Sequence, residues 1–419
     1  MAAAPESADK STGLLAWIDQ RFPLTLLWKT QVAEYYAPKN FNWWYYFGSL
    51  ALFVLANQLV TGIFLTMHYK PSAEEAFASI EFIMRDVSWG WLLRYLHSTG
   101  ASAFFIVVYL HMFRSLLYGS HRKPRELLWI FGCLIFVALM AEGFMGYVLP
   151  WGNMSYWGAQ VIVSLFGSLP VIGGALVEWI RGDYVIADAT LNRLFALHVA
   201  AMPLALVFLV IAHLMALHEV GSNNPDGIEI KKHKDKEGHP LDGIPFHPYY
   251  TVKDLMGVMG FLVLFCAVIF FAPTFGGLFL ESPNFSPANP LQTPPHIAPV
   301  WYFTPFYAML RAVPSFWGTQ VWGVLVLASA VLVLFFVPWL DRSPVASIRY
   351  RGPIYKLMLT IFVVSFIILA VCGLKPPSGI YPTLAKVCTT LYFAFFVLMP
   401  WYTRLDRVKP VPERVTGHV

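Results

Sequence analysis

Eight stretches of this 419-residue chain are apolar over seventeen residues or more, and between them they carry one charge. A helix needs ~20 such residues to cross a bilayer. In lipid only helices and closed barrels satisfy their own backbone, so the stretches predict a bundle of spanning helices. They are Phe41–Tyr69, Tyr95–Phe113, Leu127–Leu149, Leu194–His218, Leu255–Leu280, Ala312–Leu340, Leu357–Leu374 and Val387–Thr403. The one charge is Glu142. Only 13% of all residues are charged, about half the fraction of a soluble domain. A ninth apolar stretch, Ser155–Val177, is broken by Gly167, Pro170, Gly173 and Gly174 and reads as short surface helices.

The net charge is only +5, but the charges are sorted. Lys10, Arg21, Lys29 and Lys39 precede the first span. Arg122, Lys123 and Arg125 follow the second, and Lys231, Lys232, Lys234, Lys236 and Lys253 follow the fourth. Arg342, Arg349, Arg351 and Lys356 follow the sixth, and Arg404, Arg407, Lys409 and Arg414 the eighth. With eight crossings all of these lie on one side, together with both termini, which is the positive-inside pattern. The intervening loops hold Glu74, Glu75, Glu81, Asp86, Glu178, Asp183, Asp188 and Glu281. Cys133, Cys266, Cys372 and Cys388 show no CxxC spacing, so disulfides and thiolate metal sites are not expected. Met1 to Lys10 has no apolar core and contains acids, unlike a secretory or transit leader. The loop from Glu281 to Arg311 is rich in proline and aromatic residues and is expected to be ordered.

Four histidines lie deep in the spans. His97 and His111 are fourteen apart on the second; His198 and His213 are fifteen apart on the fourth. At 3.6 residues per turn each interval is about four turns, so each pair shares a face, its levels ~21–22 Å apart. Two such helices side by side present two His–His pairs, the arrangement needed for two stacked haems with bis-imidazole ligation. Polar groups inside a bilayer are costly and point to function. Gly48 and Gly62 on the first span, and Gly132 and Gly146 on the third, repeat the fourteen-residue interval, which would let a flat ligand approach closely. Arg94, Arg114 and Arg193 sit near the histidines and could meet haem propionates, or could simply snorkel. Two other readings of these residues stay open. A dihaem membrane anchor would lack the aromatic loop and the last four spans. A transporter could use the histidines to relay protons.

The strings RYLHSTGASAFF, GFMGYVLPWGNMSYWGA, HEVGSNNPDG and IPFHPYYTVKD resemble the cytochrome b family of bc1 complexes, in its full-length bacterial form. The resemblance runs from about Asp19 to the end of the last span. It implies an all-α integral membrane subunit of a quinol–cytochrome c oxidoreductase that contributes to proton translocation. A haem-binding four-helix bundle at 41–220 would follow a cytoplasmic segment at 1–40. An inner loop at 221–253, four helices across 254–403 with the quinol-site loop 281–311, and a cytoplasmic tail at 404–419 would complete it. His97 and His198 would bind a low-potential haem near the outer face, and His111 and His213 a high-potential haem near the inner face. His218, Ser222, Lys253 and Asp254 match the family's quinone-reduction site. Phe144, Tyr147, Gly158, Pro299, Trp301, Tyr302 and Tyr307 match its quinol-oxidation site. Implied partners are a Rieske iron–sulfur protein and a cytochrome c1 subunit, in a dimeric complex in a bacterial inner membrane, with no nucleic acid. This chain has neither cysteine ligands for a cluster nor a CxxCH. The family's loop motif is usually Pro-Glu-Trp-Tyr, and its Glu is thought to take a quinol proton. Here the loop reads Pro299-Val300-Trp301-Tyr302, and valine accepts no proton. Glu142, which costs ~2.5 kcal/mol or more near a bilayer centre, is the expected substitute.

Overall fold

The computed structural model describes residues 13–417, so Lys10 lies outside the described residues. Among the described residues seven helices are long and apolar enough to span a membrane, α1 (Tyr46–Thr66), α2 (Gly90–Tyr118), α3 (Glu126–Val148), α4 (Asp188–Val220), α5 (Tyr249–Phe271), α6 (Val321–Leu340) and α7 (Pro353–Leu374), and a bent pair, Tyr381–Val397 and Met399–Leu405, makes an eighth, α8, when taken as one span. The 62° bend of α8 falls at Leu398, two residues before Pro400, whose ring can neither donate nor tolerate the preceding turn's carbonyl. The broken stretch forms short helices, Asn153–Phe166 and Gly173–Arg181.

Most spans differ from the expected bounds by a few residues, and two fall well short at one end. The sixth does not begin at Ala312. That residue closes a separate helix, Thr304–Ala312, and Pro314 together with the positive φ of Trp317 (54°) breaks the chain before Val321. The fifth ends at Phe271, two residues before Pro273, rather than at Leu280.

Tertiary contacts fix which ends lie together. Strand β1 (Tyr36–Pro38) pairs antiparallel with β2 (Gly243–Pro245), a small departure from an all-helical chain. Arg122 donates to the carbonyls of Val345 and Ser343. Arg125 reaches Gly221 O at 2.8 Å, and Arg414 pairs with Asp242 at 2.7 Å. Buried His121, Asp341 and Arg351 join the second loop to the sixth. The five basic segments therefore meet at one end of the bundle, which requires an even number of crossings between them. At the opposite end Ala73 N donates to Asp188, Tyr69 OH to Leu149 O, and His296 lies 3.2 Å from Leu374 O.

The core lies between the first four spans and the last three. Phe105, Phe136, Tyr302, Phe306, Phe395 and Phe396 are all buried there, so the aromatic loop packs inward as expected. Leu204, Phe208, Met215, Val263, Leu264 and Phe271 stay exposed on α4 and α5, an apolar surface suited to lipid.

Candidate functional site

His97 and His198 face each other with ring centres 6.2 Å apart, and His111 and His213 with ring centres 6.3 Å apart. A metal bound on both sides by imidazole nitrogen at about 2 Å, with each nitrogen about 1.1 Å from its ring centre, puts the centres roughly 6.2 Å apart. Both pairs have that spacing. The fifteen-residue interval on α4 is brought into phase by a π turn, Leu197–Ala201, which contains His198 itself. One i→i+5 turn takes up one extra residue, so fifteen residues here rotate about as far as fourteen on α2.

The four glycines pair one to one with the four histidines. A Cβ on Gly62 would lie 3.2 Å from His97 Cε1, and one on Gly146 2.5 Å from His198 Cε1. For Gly48 and His111 the distance is 3.3 Å, and for Gly132 and His213 it is 3.5 Å. The glycine interval thus makes room for the imidazoles, where the sequence suggested room for the flat ligand.

The His97–His198 pair is held through Nδ1. Thr61 donates its hydroxyl to Asn57 O at 2.6 Å and so accepts from His97 Nδ1 at 2.9 Å. His198 Nδ1 donates to the Glu142 carbonyl at 3.2 Å. Both Nε2 atoms are left free for iron, the usual role of such outer partners. At the His111–His213 pair Arg114 lies 3.4 Å from His111 Nδ1, and its guanidinium is 4.9 Å from the Tyr45 ring.

Two cavities follow from these pairs. One, of about 590 Å³, is lined by Gly48, His111, Arg114, Gly132 and His213, and also by His218, Ser222, Lys253 and Asp254. The other, of about 730 Å³, is lined by Gly62, Arg94, His97, Gly146 and His198, and by Glu142, Tyr147, Val300 and Tyr302. The first cavity joins its histidine pair to all four residues expected at the quinone-reduction site; the second takes in Tyr147 and Tyr302, while Phe144, Gly158, Pro299, Trp301 and Tyr307 do not line it.

Tyr302 stacks on Phe105 at 3.8 Å, and its carbonyl accepts from Tyr109 at 2.7 Å. Trp301 donates to Ser102 at 3.0 Å, so the Pro299–Tyr302 motif is pinned to α2. Gly158 sits against Tyr147, 3.6 Å from its ring for a Cβ. Phe144 packs among the short helices, and Tyr307 lies under Arg311 at 4.5 Å. Arg193 does not reach the histidines. It donates to the Trp179 carbonyl and packs on Gly182, holding the Gly173–Arg181 helix. Glu142 faces His198, with Oε2 3.1 Å from Nδ1.

Two residues at these cavities escaped the sequence reading. Tyr35 stacks on His218 at 4.5 Å, and its hydroxyl is 2.9 Å from Ser222 Oγ. Glu281 accepts from the Tyr147 hydroxyl at 3.2 Å. Tyr35 carried no signal before the β1–β2 pairing was known. Glu281 was visible only as one acid among the outer loops.

The Cytochrome b/b6/petB family model matches residues 32–221, and the Cytochrome b(C-terminal)/b6/petD model residues 287–393. The chain is 63% identical to cytochrome b of Allochromatium vinosum, over 98% of this chain and 100% of that one. It is 47% identical to cytochrome b of Rickettsia prowazekii, over 96% and 98%. A hyperthermophilic respiratory Complex III chain superposes with a TM-score of 0.85 at 39% identity, covering 94% of this chain and 99% of that one. With its paired histidines and spanning helices, the chain belongs to the cytochrome b family and is a haem-binding membrane subunit of a respiratory complex III.

Proposed function

We propose that this subunit oxidises quinol at the 730 Å³ cavity near the outer membrane face and reduces quinone at the 590 Å³ cavity near the inner face. Two His–His pairs at metal-bridging spacing, each opening into its own cavity, carry this reading. His97 and His198 would hold a low-potential b-type haem, and His111 and His213 a high-potential one; when bound, these supply the one-electron carriers between the two cavities. Arg94 and Arg114 line the cavities as cations for propionates. At the inner cavity His218 and Asp254 hydrogen-bond the two quinone carbonyls and deliver protons. Lys253 and Ser222 complete that wall, and Tyr35 fixes the His218 ring by stacking on it. At the outer cavity Tyr302 and Tyr147 orient the quinol. The second electron leaves to a Rieske iron–sulfur partner and then to cytochrome c1, in a dimeric complex of a bacterial inner membrane. The five basic segments gathered at one end support placing that end, with both termini, in the cytoplasm.

Redox titration of the purified complex tests the reading: two b-type midpoint potentials are expected in the wild type and one in His111→Leu. Two full haem equivalents in His111→Leu would refute the ligand assignment.

A further inference from the structure

Val300 occupies the position where an acid would stand in the loop motif, and it is 3% exposed on the wall of the outer cavity. Quinol oxidation releases two protons there, and a general base needs hydrogen-bond reach to the proton it takes. Two carboxylates line that cavity, Glu81, which pairs with Arg85 at 2.5 Å, and Glu142; a third, Glu281, lies just outside the lining. Glu142 lies against His198, with its carbonyl and its carboxylate both within 3.2 Å of Nδ1. It belongs to the surroundings of a ligand. Glu281 stands behind the opposite wall. Its Oε2 accepts from the Tyr147 hydroxyl at 3.2 Å and from Asn284 Nδ2 at 3.4 Å, and both partners line the cavity. Its Oε1 is buried without a hydrogen-bond partner, as is Glu142 Oε2, so what separates the two acids is the Tyr147 bond to Glu281 and the contact of Glu142 with His198.

Resting on the quinol-oxidising reading of this cavity, we infer that Glu281, acting through Tyr147, is the proton acceptor that replaces the missing loop carboxylate, and that Glu142 is not. The geometry sets the route. A quinol O–H bond breaks, and its proton joins the Tyr147 oxygen as the Tyr147 proton passes to Glu281. Tyrosine is thereby regenerated and Glu281 ends as the neutral acid. The two electrons of the quinol leave singly, one to the iron–sulfur partner and one to the outer carrier. The second proton leaves with the iron–sulfur partner's electron. Glu281 opens a loop whose next residues, Ser282 and Phe285, are exposed, so the proton is released to the outer solvent.

The acidity of Glu281 suits the task. Burial pushes its carboxyl up to about 7, outweighing the bonds from Tyr147 and Asn284 that favour the anion. The titratable groups facing it are Tyr147 from α3 and Tyr302 from the loop motif, and among the described residues it has no ion-pair partner. A base near the working pH combines availability with driving force.

The test is quinol oxidation by the intact complex from pH 5 to 9, with haem content read from the difference spectrum. The wild-type rate is expected to rise with pH through the region near 7. Glu281→Gln is expected to keep both haems, fall roughly a hundredfold at neutral pH, and lose that acid limb. Glu142→Gln is expected to keep the limb. Wild-type rates and pH dependence in Glu281→Gln, or a limb lost in Glu142→Gln instead, would overturn the inference. If Glu281→Gln does not assemble, Glu281→Asp decides. Its shorter side chain draws the carboxylate away from Tyr147, so the rate should drop at least tenfold with a titrating limb retained; an unchanged rate and profile would overturn the inference. Tyr302→Ala separates this from the reading beneath it. Undiminished oxidation there would overturn the placement of the quinol site itself, whereas a slow Tyr302→Ala beside a normal Glu281→Gln would remove only the role of Glu281.

Discussion

Adding one methyl group to either of two glycines on α3 should have opposite consequences. A Cβ at position 146 would stand 2.5 Å from His198 Cε1, where ordinary contact begins at 3.4 Å. The imidazole would have to retreat by about 1 Å, whereas ligand bonds hold within about 0.2 Å of their ideal lengths. Overpacking of this kind costs about 1–3 kcal/mol, and at ~1.4 kcal/mol per tenfold that is roughly a 5- to 150-fold weaker hold on the outer haem. A Cβ at position 132 would stand 3.5 Å from His213, an ordinary contact. Gly132→Ala should therefore leave the inner haem in place and gain up to about 1 kcal/mol in helix propensity. Haem per complex, counted spectroscopically with a redox titration, reads the result. Gly146→Ala should lose or greatly destabilise the low-potential component only. Equal retention in the two variants, or a loss in Gly132→Ala, would refute the idea that these glycines make space for imidazoles.

Asp254→Asn should slow re-oxidation of the inner level by quinone at least tenfold while leaving its reduction intact, as rapid-mixing kinetics would show. Acid should release the C-terminal tail. Burial pushes Asp242 up, but bonds from Arg414 and Lys39 outweigh it and hold the carboxyl at about 2. The folded value lies below the unfolded one of about 4, so the stabilisation is complete above pH ~4 and is lost as pH falls toward 2. The Val415 amide, which donates to Asp242, should lose its protection against hydrogen exchange over that window, and in Asp242→Asn it should be unprotected at neutral pH.

The spans were legible because lipid imposes a long uncharged run, and the histidine pairs because a metal between two helices imposes a matched interval. What was not legible depends on contacts between distant segments. Composition does not distinguish the Val313–Gln320 break from a continuous span, since the segment is uncharged; only Pro314 hinted at it. The β1–β2 pairing joins residues some two hundred positions apart, and with it comes Tyr35 at the inner cavity. Arg193 is close to His198 in sequence but not in space: it lies on the turn facing Trp179. A lone charge is conspicuous in a spanning helix, which is what singles out Glu142 in the sequence. Glu281 lies in a loop full of polar residues, and only the folded chain sets it against Tyr147.

The π turn at Leu197–Ala201 bears on how such a helix can change length. An insertion into a membrane helix normally turns everything beyond it by about 100°, which would swing one ligand away from its partner. Here the surplus residue is taken up within the turn that carries His198, and the remainder of α4 runs on in step down to His213. The helix has a local slack point, placed at one end of the distance that must be kept. A chain lacking that residue could close the turn to an ordinary one and present the same two rings. The separation between the carriers is therefore set by turns of helix and not by a count of residues.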